Sequence, residues 1–236
     1  MNAWQSSVLF SAIHCTNLLQ NTIGRKIATD YGMETIDTLT GFKFIGEKIK
    51  QFEEQSSNTF LFGYEESYGY LIKEFVRDKD AVQAAVFIAE VASYYHEQGM
   101  TLYDALLNLM EQYGYYQEDL ISLTLKGKDG ATQIQEMMEQ VRQAPMNEIA
   151  GKRVVMVEDY LLSQSINLKT NEITRINLPT SNVLKIHLED EAWITLRPSG
   201  TEPKIKFYFS VKENSFDLSV ETLLKIKGEF IGKYKV

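Results

Sequence analysis

At 236 residues, with 44% apolar and 24% charged residues, the chain has the balance of a globular protein holding one large or two small domains. A net charge of −8 argues against a nucleic-acid partner, while scattered lysines and arginines leave room for a small anion. One cysteine, Cys15, excludes an internal disulfide, and His14, His96 and His187 are too dispersed to read as a zinc site.

The opening MNAWQSSVLFSAIHCTNLLQ has no basic residue before Arg25 and so lacks the charged start of a secretory signal. No apolar run reaches membrane-spanning length, and a cytoplasmic protein with no membrane or nucleic-acid partner is expected. TIGRKIATDYG (22–32) reads as a short helix with Ile23, Ile27 and Tyr31 on one face and Gly32 closing it. ETIDTLTGFKFI (34–45) reads as a strand and loop broken at Gly41, and FLFGY (60–64) as a short strand stopping in polar residues. DKDAVQAAVFIAEVASYYHEQG (78–99) is a helix apolar on most faces, hence expected to be largely buried. TLYDALLNLMEQYG (101–114) follows as a helix capped by Thr101 and ended by Gly114.

From about residue 118 the pattern changes. DLISLTLKG alternates as a strand, and ATQIQEMMEQVRQAP is an amphipathic helix ended by Pro145. KRVVMVEDYL, SNVLKIHLED, EAWITLRP and KIKFYFSV are strand candidates, and SVETLLKIKGEFIGKY is a helix with Leu223, Leu224 and Ile231 available for one face. The expected fold class is α/β followed by α+β, with a boundary near residue 117.

RPSGTEPK (197–204) has two readings. As a turn, Pro198 fixes φ, Gly200 takes a positive φ, and the hydroxyls solvate the loop. As an anion pocket, Arg197 offers a bidentate grip, Ser199 and Thr201 are donors, amides converge around Gly200, and Lys204 and Lys206 add charge.

TLRPSGTEPKIKFYF resembles the phosphate-binding loop in the last domain of the α-D-phosphohexomutases, the phosphoglucomutase and phosphomannomutase family. FGYEESYGYL (62–71) resembles the sugar-binding loop of that family's third domain, and TLTGFKFIGEKI (38–49) and RDKDAVQAA (77–85) resemble other third-domain segments in the same order. The resemblance implies a third domain over 20–117, a three-layer α/β/α mixed sheet incomplete at its start. It also implies a fourth domain over 118–236, an antiparallel sheet flanked by two helices, with 1–19 as a divergent segment. Glu65 and Ser67 match the pair that reads sugar hydroxyls, with Glu66 behind them. Lys79 matches a lysine at the reacting end, with Arg77 beside it, and Lys43 a loop residue near the substrate. Arg197, Ser199, Gly200 and Thr201 match the grip on the non-reacting phosphate, and Lys206 stands where an arginine is often found.

The implied reaction interconverts glucose 1-phosphate and glucose 6-phosphate through a phosphoserine, with Mg²⁺ beside it and glucose 1,6-bisphosphate as activator. The family's Ser-His-Asn-Pro loop has no counterpart, because the histidines follow Ile13, Tyr95 and Ile186. Its Asp-x-Asp-x-Asp metal loop has none either: Asp78-Lys79-Asp80 reads as a helix start, with no metal ligands assigned. The resemblance thus implies the substrate-binding C-terminal half of such a mutase, inactive alone, with a hexose phosphate and a complementing N-terminal half as partners. A non-catalytic sugar-phosphate-binding module and a non-functional remnant are the other readings.

Overall fold

The computed structural model describes residues 12–17, 22–66, 68–125 and 129–234. They divide into two compact units, split between Tyr113 and Gly114.

In the first unit β1 (Ala12–Asn17) runs parallel to β2 (Glu34–Thr38) on one side and β3 (Thr59–Glu65) on the other. Strand β4 (Gly69–Leu71) closes a mixed sheet of order β2-β1-β3-β4 by pairing antiparallel with β3. One sheet face carries Ile13, Cys15, Phe60 and Leu71, which pack on Phe42, Ile45, Ile49 and Phe52 of α2 (Phe42–Gln55). The stripe recurs every three or four residues, the helical period. Here the sequence reading needs correction: the segment read as strand and loop to residue 45 is β2 and then the first turn of α2. The opposite face stacks His14 on Tyr64, with ring centroids 5.0 Å apart, and Phe62 on Tyr70. Above it lie α1 (Ile23–Asp30), whose Gly24 faces the Tyr64 hydroxyl, and α3 (Ala81–Glu97), whose Phe87 meets Phe62. The layers are therefore α/β/α.

The long helix α3 is capped by Asp80, which accepts hydrogen bonds from the amides of Val82 (2.8 Å) and Gln83 (3.1 Å). Contrary to expectation none of its residues is buried: Val82, Val86, Ile88 and Tyr94 are all more than half exposed. Helix α4 (Leu102–Tyr113) packs beside it, with Thr101 and Asp104 bonding reciprocally at its start.

The second unit is an antiparallel sheet built on the path β5-β12-β11-β10-β7-β8-β9. Its strands are β5 (Tyr115–Thr124), β6 (Glu148–Ile149), β7 (Lys152–Asp159), β8 (Gln164–Asn167), β9 (Glu172–Arg175), β10 (Leu184–Leu188), β11 (Trp193–Pro198) and β12 (Lys204–Glu213), with β6 pairing on β7. Helices α5 (Gly130–Gln143) and α6 (Phe216–Tyr234) bury Ile134, Met138, Val141, Leu223, Ile226 and Phe230 against Ile194, Leu196, Phe207 and Phe209. Leu224, expected on the packed face of α6, is 61% exposed; Ile226 and Phe230 take that face instead. Gly32 ends α1 with φ 71° as anticipated, whereas Tyr31 beside it, expected on one face with Ile23 and Ile27, is exposed.

Two outcomes follow from this packing. Phe230 is fully buried among Phe207, Phe209 and Tyr234, so Phe230→Ala should lower unfolding free energy by about 3–5 kcal/mol in denaturant titration. His14 is 4% exposed, and burial, helped by the Arg25 cation, lowers its pKa from 6.5 to about 4. The unfolded chain then binds a proton that the folded chain refuses. Stability should fall as pH drops from about 6.5 toward 4, by up to about 3 kcal/mol, and flatten below that. His14→Phe should remove this part of the pH dependence.

Candidate functional site

The residues of the RPSGTEPK motif lie on the β11–β12 hairpin. Register places Ile194 opposite Phe209, Leu196 opposite Phe207 and Pro198 opposite Ile205 on the core face. The alternate positions then fall on the other face, and Arg197 sits directly opposite Lys206. Neither side chain has an ion-pair partner among the described residues. Like charges opposite one another lower stability, and no ion pair among the described residues offsets this one.

The two strands end in a pocket of about 400 Å³ lined by Arg197, Lys204 and Lys206 and by the loop Pro198–Glu202. The Ser199 hydroxyl accepts hydrogen bonds from the amides of Thr201 and Glu202, each 3.3 Å away, and the Ser199 amide donates to the Lys204 carbonyl at 2.7 Å. This serine-closed turn corrects two details of the sequence reading. The amides converge on Ser199 Oγ within the loop, leaving the hydroxyl proton free to point elsewhere. Gly200 does not take a left-handed φ, because the side-chain bond closes the turn, and a Cβ there would meet nothing within 4 Å.

In the first unit the β3–β4 hairpin pairs Glu65 with Gly69. Glu65 is 8% exposed, and its carboxylate lies with the Lys79 stem over the bare Gly69: an added Cβ would stand 2.9 Å from Glu65 Oε1 and 2.7 Å from Lys79 Cδ. Lys79 Nζ is 3.0 Å from Asp78, whose carboxylate holds the ammonium pKa up, with Glu65 adding to the same effect. Hydrogen bonds from Lys79 in turn hold the Asp78 pKa down. Asp78 and Asp80 are thus engaged by Lys79 and by the start of α3. Arg77 is tied to Glu53 of α2 and to the Glu74 carbonyl, which turns it toward the helix. Lys43 is exposed at the start of α2 with Nζ 4.7 Å from the Phe44 ring centroid. Glu66 is half-buried, and Ser67 lies outside the described residues. Sequence reasoning overlooked Gly69, whose signal was its place between a strand and the EES turn.

Among the described residues no cluster of three or more histidine, cysteine or acidic side chains is placed to hold a metal ion, and no helix is long and apolar enough to cross a membrane.

The two glycines make opposite forecasts. Gly69→Ala should cost about 1–3 kcal/mol by displacing Lys79 and Glu65. Gly200→Ala should stay within about 0.5 kcal/mol of the parent chain, both read by denaturant titration.

Comparison with known proteins adds an independent finding. A family model described as phosphoglucomutase/phosphomannomutase, alpha/beta/alpha domain III, matches residues 11–113, and one for the C-terminal domain of the same family matches 125–215. A phosphoglucomutase of Staphylococcus aureus strain MW2 is 40% identical over 213 residues, covering 90% of this chain and 38% of the relative. A phosphoglucomutase of Staphylococcus haemolyticus is 38% identical over 85% of this chain and 36% of its own length. The chain thus spans under two fifths of the length of these relatives. The crystal structure of a putative phosphomannomutase from Thermus thermophilus shares the fold, with a TM-score of 0.57 at 16% identity over 93% of this chain and 36% of that one. With two consecutive domains matched in order, the chain belongs to the phosphoglucomutase/phosphomannomutase family and carries its domains III and IV.

Proposed function

We propose that the chain is the substrate-binding part of a phosphoglucomutase that interconverts glucose 1-phosphate and glucose 6-phosphate by phosphoryl transfer. The observation that carries this reading is the uncompensated Arg197–Lys206 pair at the mouth of a loop pocket. A phosphate dianion would turn that repulsion into attraction. Arg197 would supply the bidentate grip, Ser199 and Thr201 their hydroxyls, Gly200 an unobstructed approach and Lys206 added charge.

Glu65, with Ser67, would read the sugar hydroxyls, since a carboxylate accepts from two adjacent hydroxyls at once. Lys79, held beside Glu65, would face the reacting end. Arg77 and Lys43 would act from the edge of the site, Arg77 chiefly by fixing the segment before α3 to α2. Phosphoglucomutases generally use Mg²⁺, but the described residues offer no ligand cluster for it. No step is therefore assigned to a metal on this chain. With neither a Ser-His-Asn-Pro loop nor a metal loop in its sequence, the chain would bind substrate without turning it over.

The partner in this reading is the N-terminal part of a mutase of this family. Its support is the apolar groove of about 380 Å³ beside α3, lined by Ile72, Phe75, Val82, Val86 and Phe87. Exposed apolar surface gathered on α3 and the segment before it supports this reading.

Calorimetric titration with glucose 6-phosphate should show saturable binding that weakens by roughly ten- to a hundredfold in Arg197→Ala, the worth of a charged hydrogen-bonded contact. No change in Arg197→Ala would sink the phosphate assignment. Isomerase turnover is expected only after addition of the N-terminal part of a Staphylococcus aureus phosphoglucomutase, and turnover by the chain alone would overturn its catalytic incompleteness.

A further inference from the structure

The hairpin that carries Glu65 also holds Tyr68 with φ 61°, in the left-handed region. A residue in that conformation at the end of a three-residue hairpin loop is common, but glycine or asparagine usually takes the place. The tyrosine ring has no compensating contact inside the chain: it is 88% exposed and has no hydrogen-bond, ring or ion-pair partner among the described residues. The next residue is Gly69, so the loop carries its largest side chain where the backbone resists one. It carries none where Glu65 and Lys79 converge.

This division has a chemical counterpart. A pyranose presents hydroxyls around its rim and an apolar C–H face whose hydrogens are weakly positive. Glu65 and Lys79 suit the rim, whereas the negative π face of an exposed phenol suits the C–H face. We propose that Tyr68 is the aromatic platform on which the hexose ring of the sugar phosphate stacks. The strained backbone holds the ring at the tip of the sugar-reading hairpin. The proposal rests on the sugar-phosphate reading above and assigns the contact that would distinguish a sugar phosphate from phosphate alone.

Tyr68→Gly and Tyr68→Asn both accept the left-handed backbone, and Tyr68→Phe keeps the π face. Thermal unfolding of Tyr68→Gly and Tyr68→Asn should shift upward by a few degrees. Their affinity for glucose 6-phosphate should fall about tenfold, with affinity for inorganic phosphate unchanged, while Tyr68→Phe should bind like the parent. The ring protons of the sugar should also show magnetisation transfer from Tyr68 in the parent chain. Glucose 6-phosphate affinity within twofold of the parent in both ring-less variants would overturn the stacking role. A parent chain that binds glucose 6-phosphate no better than inorganic phosphate would instead remove the sugar-phosphate reading, and the platform with it.

Discussion

The second unit depends on the two-residue period of a strand. Once Leu196 and Phe207 face each other in the core, Arg197 and Lys206 have to face each other on the opposite side. A one-residue slip would bury both cations and expose Ile194, Leu196, Phe207 and Phe209, so the apolar side locks the polar one. The cationic pairing at the loop pocket is in this sense a by-product of core packing. Arg197 and Lys206 are placed by the core residues on the opposite face, whose register keeps the two cations on one side of the sheet.

The first unit reaches a comparable result with less rigid means. One face of its sheet is a dry core with α2, in which burial pushes the Cys15 thiol up to about 12 and leaves it inert. Its other face is a stack of aromatic rings around His14. The hairpin leaving that sheet departs from regular geometry at Tyr68 and needs a bare residue at Gly69. Irregularity of this kind collects at working sites because a rigid scaffold can absorb its strain. Its helix α3, capped by Asp80 and rich in alanine, packs on the sheet through Phe87 yet leaves Val82, Val86 and Ile88 largely exposed.

Much of this order was legible in the sequence because period and punctuation agree. Asp80, Thr101 and Pro145 mark helix ends, and alternation from Trp193 to Pro198 and from Lys204 to Val211 marks the paired strands. The reading failed where a single residue misdirected it. Gly41 ended the segment early and hid the Phe42–Ile45–Ile49–Phe52 stripe of α2. The β8–β9 hairpin went unseen, although Asn167 accepts from the Lys169 and Thr170 amides and Asn171 takes φ 56°, a turn signature written in two asparagines. Composition mistook α3 for a buried helix because apolarity states what a surface prefers, and only tertiary structure states what covers it. In the candidate site, residue types were readable but partners were not. No pattern in RPSGTE says that Ser199 commits its acceptor to the loop, or that Glu53 holds Arg77.

The electrostatics of the pocket link these observations. Two unit charges about 5 Å apart repel by less than about 1 kcal/mol in water but by several times that where the effective dielectric falls to about 20. Solvent around the hairpin therefore makes the Arg197–Lys206 pair tolerable in the unliganded chain. The same screening weakens its pull on a phosphate. A site that water keeps open is for that reason weak, and it becomes strong only when water is displaced. On the proposed reading, a phosphate dianion placed between the cations would begin that displacement itself. The grip of such a hairpin on an anion would then be governed less by the count of cations than by how completely they are covered.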